Sequence, residues 1–288
     1  IKTYLTLNTV LFDEDLPYMR EVVDRAKQEK VDAVIVADQA AMNYAYQQGV
    51  EIHISTQLNI TNIESVAFYA RYADVVVLAR EMTLGKVRAI YDQIRERNIR
   101  GPKGELVRIE MFAHGALCMA TSGKCYLSLH EAWKSANRGE CRQICRRSYR
   151  VEDVETGHEL VVDNEHIMSP KDLCTIEFLD RMLEAGVRVL KIEGRARSGE
   201  YVKRVCECYK EAIRLIAAGE VNSEKATALK ERLRTVFNRD FWGGYYLGHR
   251  MVEGAEHYST AATGKEIQNG KLTNYFTNLG VQRHLDNA

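Results

Sequence analysis

The chain has no net charge: 40 Lys and Arg stand against 40 Asp and Glu in 288 residues. A global basic field is therefore excluded, and any nucleic-acid contact has to come from a local patch. No apolar run is long enough to cross a bilayer, so no membrane partner is expected. No G-x-G-x-x-G follows a strand-like segment, which removes the dinucleotide fingerprint. H-E-x-x-H is missing, since His130 and Glu131 run on into Ala132, Trp133 and Lys134, and G-x-S-x-G is missing too. The familiar peptidase machinery is thus not visible. There is no C-x-x-C knuckle of the kind that builds a zinc ribbon. Seven cysteines is an odd number, which speaks against a secreted disulfide framework and for a reducing, cytoplasmic setting. A starting methionine is also lacking. Ile1 opens straight into a strand-like run, so a trimmed fragment is expected and no targeting segment is read from the N-terminus.

What is present is an ordinary globular composition, 45% hydrophobic and 28% charged. Short apolar runs alternate with helical patterns. "TYLTLNTVLF", "VDAVIVAD", "EIHISTQLN", "DVVVLAR" and "ELVRIEMFA" read as strands. Between them, "DEDLPYMREVVDRAKQEK" places Met19, Val22, Val23 and Ala26 at helical spacing behind Pro17. "QAAMNYAYQQG", "IESVAFYARYA" and "TLGKVRAIYDQIRERN" are the further helices. Such repetition predicts a parallel sheet with crossover helices, and a barrel or an open doubly wound sheet each fit. From residue 113 to 168 the rhythm breaks into a cysteine-rich insertion that ends in a hairpin around Thr156-Gly157. The alternation then resumes. "SPKDLCTIEFLDRMLEAG" is expected as one helix, with Ser169 as N-cap, Pro170 in the first turn and Gly186 as stop. "VRVLKIEG" is a strand, and two helices follow it.

Polar side chains gather where the strands end: Asn8, Asp38, Gln39, Thr56, Gln57, Asn59, Arg80, Glu81, His114, Glu193 and Arg195. Sites in parallel α/β proteins form at the C-terminal ends of strands. The insertion brings Cys118, Cys125, Cys141 and Cys145, with Cys174 beyond it. Glycines among them let a backbone wrap closely around a group. Iron–sulfur, zinc and inert buried thiols all remain open on spacing alone. Cys206 and Cys208 point different ways on a helix and carry no assignment. Arg138, Arg142, Arg146, Arg147 and Arg150 overlap the last cysteines. They read as a phosphate-binding patch or simply a solvated face, with Trp133 and Tyr149 nearby for stacking or packing.

"EMFAHGALCMATSGKCYLS" resembles the signature of peptidase family U-32, the collagenase-like family. "NRGECRQICRRSY", "SPKDLC", "LKIEGRARS" and "HISTQLNITN" resemble its further blocks. The resemblance implies a TIM-type (β/α) barrel, here N-terminally incomplete, over residues 1–236. It also implies the cysteine-rich insertion at 113–168 and the start of a small β domain in 237–288, with "GKLTNYFTNLGV" as an opening strand. It implies a 4Fe-4S iron–sulfur cluster held by Cys118, Cys125, Cys141 and Cys174, with Cys145 as a fifth candidate. The activity it implies is 5-hydroxylation of a pyrimidine in tRNA or rRNA, with prephenate as co-substrate. His114, Glu193 and Arg195 would be catalytic. Gln57, Asn59, Arg80, Arg142, Arg146 and Arg147 would bind the RNA substrate. A partner protein chain is a further expectation. The alternatives are a collagenase-like peptidase, as the family label says, and a non-catalytic module that binds RNA or a partner chain.

Overall fold

The structure is a computed structural model and describes residues 1–150, 152, 154–157, 168–248, 254, 260–264, 271–274 and 284–286. Its strands β1 (Tyr4–Leu7), β2 (Ala33–Val36), β3 (Ile52–Ile54), β4 (Val75–Val77) and β5 (Arg108–Gly115) pair in chain order. Each runs parallel to the last. The crossovers are α1 (Leu16–Gln28), α2 (Gln39–Gln47), α3 (Ile63–Tyr69) and α4 (Leu84–Glu96). The local signals that predicted them act as expected. Pro17 sits in the first turn of α1, and Asp38 caps α2 by accepting from the Ala40 N–H. All three residues of β3 and all three of β4 are buried, as a sheet covered on both faces requires. Filling one such position, Ile54, contributes roughly 2–3 kcal/mol.

The second half departs from the expected plan. After α5 (Leu127–Ala132), the segment read as one long helix first forms strand β6 (Asp172–Cys174). It then makes a 3-10 turn and enters α6 only at Leu179–Glu184. Tertiary partners override the local pattern. The Thr175 N–H donates to the Ala113 carbonyl and the Asp172 N–H to that of Asp240, while Ser169 accepts from Arg146 instead of capping a helix. Gly186 does end α6, in a left-handed conformation. β7 (Val187–Ile192) lies parallel to β5 along its long edge, opposite β4. α7 (Gly199–Ala217) and α8 (Ser223–Arg234) follow, and β8 (Phe241–Trp242) pairs with β6.

The result is a mixed α/β fold around a largely parallel sheet that does not close. Among the described residues β1 has only β2 as a neighbour, and β6 meets the last two residues of β5 antiparallel, His114 opposite Cys174. Among the described residues a closed TIM-type circuit is therefore not formed. Strands β9 (Lys271–Asn274) and β10 (His284–Asp286) make a separate antiparallel pair, with β9 in the expected "GKLTNYFTNLGV" segment. Of the predicted hairpin, the turn at residues 154–156 is present and the flanking strands lie outside the described residues. Among the described residues no helix is long and apolar enough to cross a membrane.

Candidate cysteine-loop site at the strand ends

Parallel strands end on one edge of the sheet, and the insertion after β5 lies across that edge. Its anchors come from four different strand ends. Beyond β1, the Val10 N–H donates to the Asn137 carbonyl at 3.0 Å. Arg138 pairs with Asp15 at 2.6 Å and lies 4.3 Å over the Phe12 ring. The Arg138 hydrogen bond holds the Asp15 carboxyl down at about 2. Beyond β7, Arg195 donates to the Gly139 carbonyl at 3.4 Å. Beyond β3 and β4 come Gln57, Asn59 and Arg80.

These last three were expected to bind substrate, and the structure brings them together around the loop. Asn59 Nδ2 donates to the Ser122 and Gln57 carbonyls, both at 2.8 Å. Arg80 Nε donates to Ser122 Oγ at 3.1 Å, and its Nη2 to the Ala120 carbonyl at 3.0 Å. Thr56 Oγ1 meets Ser122 Oγ at 3.3 Å. Gly123, in a left-handed conformation, lies so close to Gln57 that an added Cβ would sit 3.1 Å from its side chain. The three residues hold Cys118–Cys125 in place. Thr56 stands at a strand end and Ser122 in the cysteine loop, but nothing local marks their meeting because the bonds span distant parts of the chain.

Cys118 and Cys141 are exposed, and Cys125 and Cys145 are half-buried. The neighbouring charges that act on the Cys145 thiol are those of Arg146, Cys118, Cys141 and Cys125, and burial raises its pKa. The charges of the other three loop thiols thus reach Cys145. Cys174 has different surroundings. It is fully buried in β6 with its thiol pushed up to about 11 by burial, and its neighbours are the Tyr209 hydroxyl, Lys230 and Glu177. Among the described residues no three Cys, His, Asp or Glu side chains converge to hold a single metal ion. Tetrahedral zinc with Zn–S near 2.3 Å needs sulfurs about 3.8 Å apart. A four-iron cluster is a larger cage held by Cys thiolates, and a loop carrying four free cysteines has the donor chemistry for one.

His114 ends β5 in a sealed environment, 1% exposed among the rings of Tyr201, Tyr209 and Phe241. Burial lowers its pKa to about 3. The imidazole is neutral at pH 7, so it carries no proton to donate as a cation. Glu193 is half-buried and accepts from the Arg195 N–H at 2.8 Å. Gly115 (φ +110°) makes this strand end possible, because an added Cβ would come 2.5 Å from the Glu193 carbonyl oxygen.

The arginine run divides. Arg146 turns inward, 8% exposed, donating to Ser169 Oγ and to the Pro170 and Leu117 carbonyls. It staples the insertion to β6 and is not free to meet an RNA phosphate. Arg138 is committed to Asp15, and Arg147 pairs with Glu131 at 3.2 Å. Arg142 is exposed, and its side chain makes no hydrogen bond or ion pair among the described residues. Trp133 is 87% exposed in a left-handed turn, and Tyr149 donates to the Ile144 carbonyl.

The model of peptidase family U32 matches residues 1–256, and the chain belongs to that family. Its relatives carry two kinds of name. A protein named collagenase from Porphyromonas gingivalis (strain W83) is 58% identical over 98% of this chain and 68% of its own length. The 23S rRNA 5-hydroxycytidine C2501 synthase of Escherichia coli K12 is 32% identical over 96% of this chain and 37% of its own length. The tRNA hydroxylation protein P1 of Bacillus subtilis 168 is 32% identical over 86% of this chain and 58% of its own length. Identity therefore ranks the collagenase name above the hydroxylases, against the order expected from the sequence. No solved structure matches the chain.

Proposed function

We propose that the chain is an iron–sulfur enzyme that hydroxylates a pyrimidine in tRNA or rRNA. The observation that carries the reading is a loop with four free cysteines tied to four strand ends. Cys118, Cys125, Cys141 and Cys145 would hold the cluster, and Cys174 is a buried core thiol. When bound, the cluster supplies one-electron redox chemistry. The chain's own residues do the rest. Arg80, Asn59 and Ser122 fix the loop. Exposed Arg142 takes a phosphate and exposed Trp133 a base. Glu193 and Arg195 line the entrance beside Gly139. RNA as substrate draws support from the relatives named for rRNA and tRNA hydroxylation.

The 58% identity to a protein named collagenase favours a second reading, a peptidase. Against it, among the described residues no histidine is hydrogen-bonded to a serine or cysteine side chain, the pairing that activates a nucleophile.

The test is iron and acid-labile sulfide in protein purified without oxygen, across single cysteine variants. Near-stoichiometric iron and sulfide, lost in Cys118→Ser and Cys145→Ser and kept in Cys174→Ser, is the expected result. Cluster loss in Cys174→Ser with retention in Cys145→Ser would overturn the ligand set. Protein free of iron that cleaves gelatin would establish the peptidase instead.

A further inference from the structure

Beyond the end of β5 lies a group of charges that neither the cluster nor the RNA accounts for. Asp172 opens β6 and is 1% exposed. Arg239 is 7% exposed and approaches it loosely, with its N–H 3.3 Å and its Nη1 3.5 Å from the carboxylate oxygens. Arg239 Nε is buried with no partner. Arg197 stacks 3.7 Å from the Phe237 ring, and Arg239 lies 5.1 Å from the same ring. Among the described residues the Arg197 guanidinium makes no hydrogen bond and no ion pair. Arg146 is the third cation, its hydrogen bonds already spent on Ser169, Pro170 and Leu117.

Among the described residues the cations here outnumber the anions. Arg239 faces the buried Asp172 carboxylate, the charges of Arg197 and Arg146 reach it as well, and burial itself raises the Asp172 pKa, which weakens that counter-charge. The other negative groups among the described residues are peripheral. Glu193 acts on Arg197 from farther out with its carboxylate engaged by the Arg195 N–H, and Cys145 and Cys118 act on Arg146. Buried charge without a partner is costly, and a guanidinium with idle donors is the usual receptor for carboxylate or phosphate oxygens. The backbone is built to hold both Arg197 and Arg239. Arg197 stands in the turn before the 19-residue helix α7, whose Ser198 cap and N-terminal dipole add positive potential. Arg239 is fixed between Asn238, whose side chain donates to the Arg234 and Val236 carbonyls, and Asp240 in a left-handed conformation.

We propose that Arg197 and Arg239, backed by Arg146 and set against Asp172, form a recessed binding site for a small anion with carboxylate or phosphate oxygens. The Phe237 ring makes one wall, so an anion with an apolar body fits better than a bare ion. The site is distinct from the cysteine cage and adjoins it through the Cys145-Arg146 bond. It does not rest on the hydroxylase reading, since a peptidase would carry the same arginines.

The test is calorimetric titration of the purified full chain with malonate and, separately, inorganic phosphate at fixed ionic strength. One site is expected. Arg197→Met and Arg239→Met should each weaken it at least ~10-fold, while Arg25→Ala, far off on α1, leaves it unchanged. Preference for malonate identifies a carboxylate ligand, and preference for phosphate a phosphorylated one. If neither probe binds, or both methionine variants bind as tightly as the parent, the site is overturned. Should those variants fail to fold, Asp172→Asn decides. Removing the opposing carboxylate should tighten anion binding several-fold, and unchanged or weaker binding refutes the proposal.

Discussion

Replacing Arg80 by Met separates a loop clamp from a substrate contact. Arg80 makes two charge-assisted hydrogen bonds to the cysteine loop, at 3.1 Å to Ser122 Oγ and 3.0 Å to the Ala120 carbonyl. Such bonds contribute about 1.5–3 kcal/mol each when well shielded. Arg80 is half-buried and Ser122 keeps its contact with Thr56, so solvent screening discounts each bond to about 1 kcal/mol and the pair to about 2 kcal/mol in all. The bonds span the loop rather than the core, so the loss falls on local opening. At 1.36 kcal/mol per factor of ten, the open population rises about 30-fold. Cys125, half-buried at the end of the clamped segment, reports it. Its alkylation by N-ethylmaleimide, followed by mass spectrometry on cluster-free protein, should accelerate by about that factor, and Arg80→Lys should fall between. An unchanged Cys125 rate in Arg80→Met, together with weakened RNA binding, would refute the clamp and restore Arg80 as a substrate residue.

Two predictions concern the buried polar groups behind the site. The Tyr209 hydroxyl donates to the Ala113 carbonyl at 2.7 Å and accepts from the Thr175 N–H at 3.1 Å. Tyr209→Phe should therefore cost about 1–3 kcal/mol in urea unfolding, and a loss under ~0.5 kcal/mol would show that the two groups pair well without it. His114 is neutral in the fold with a pKa of about 3, against about 6.5 when unfolded. Above pH 6.5 its stabilisation is fully present. Below that the unfolded chain takes up a proton that the fold refuses, so stability falls by about 1.4 kcal/mol per pH unit until pH approaches 3. His114→Gln should flatten urea-melt stabilities between pH 6.5 and 4.5 by about that slope, and an equally steep variant would place the titration elsewhere.

The parallel strand–helix alternation was legible because its signals are local. Apolar runs, Pro17, the Asp38 cap and the Gly186 stop each act within a few residues. The cysteine loop was legible for the same reason, as a dense set of thiols and glycines after a strand. The "SPKDLC" segment shows the limit. Its cap, proline and stop glycine are a sound helix pattern, yet Asp172–Cys174 finds strand partners in β5 and β8, and pairing outweighs propensity.

Side-chain roles were harder still. Arg146 and Arg142 look alike in sequence, but one is sealed against Ser169, Pro170 and Leu117 and the other is open to solvent. The strand-end residues Gln57, Asn59 and Arg80 were found by position, but their partners Ala120, Ser122 and Gly123 on a distant loop were not legible. By itself the sequence determined which residue types stand at the ends of the strands and that the thiols follow β5. Only the tertiary structure decided which groups meet: Cys145 beside three other thiols, Cys174 against Tyr209, and Arg197 and Arg239 around Asp172. The physical reason is that periodicity fixes the direction of a side chain along its own element, whereas its partner is set by pairing and packing between segments far apart in the chain.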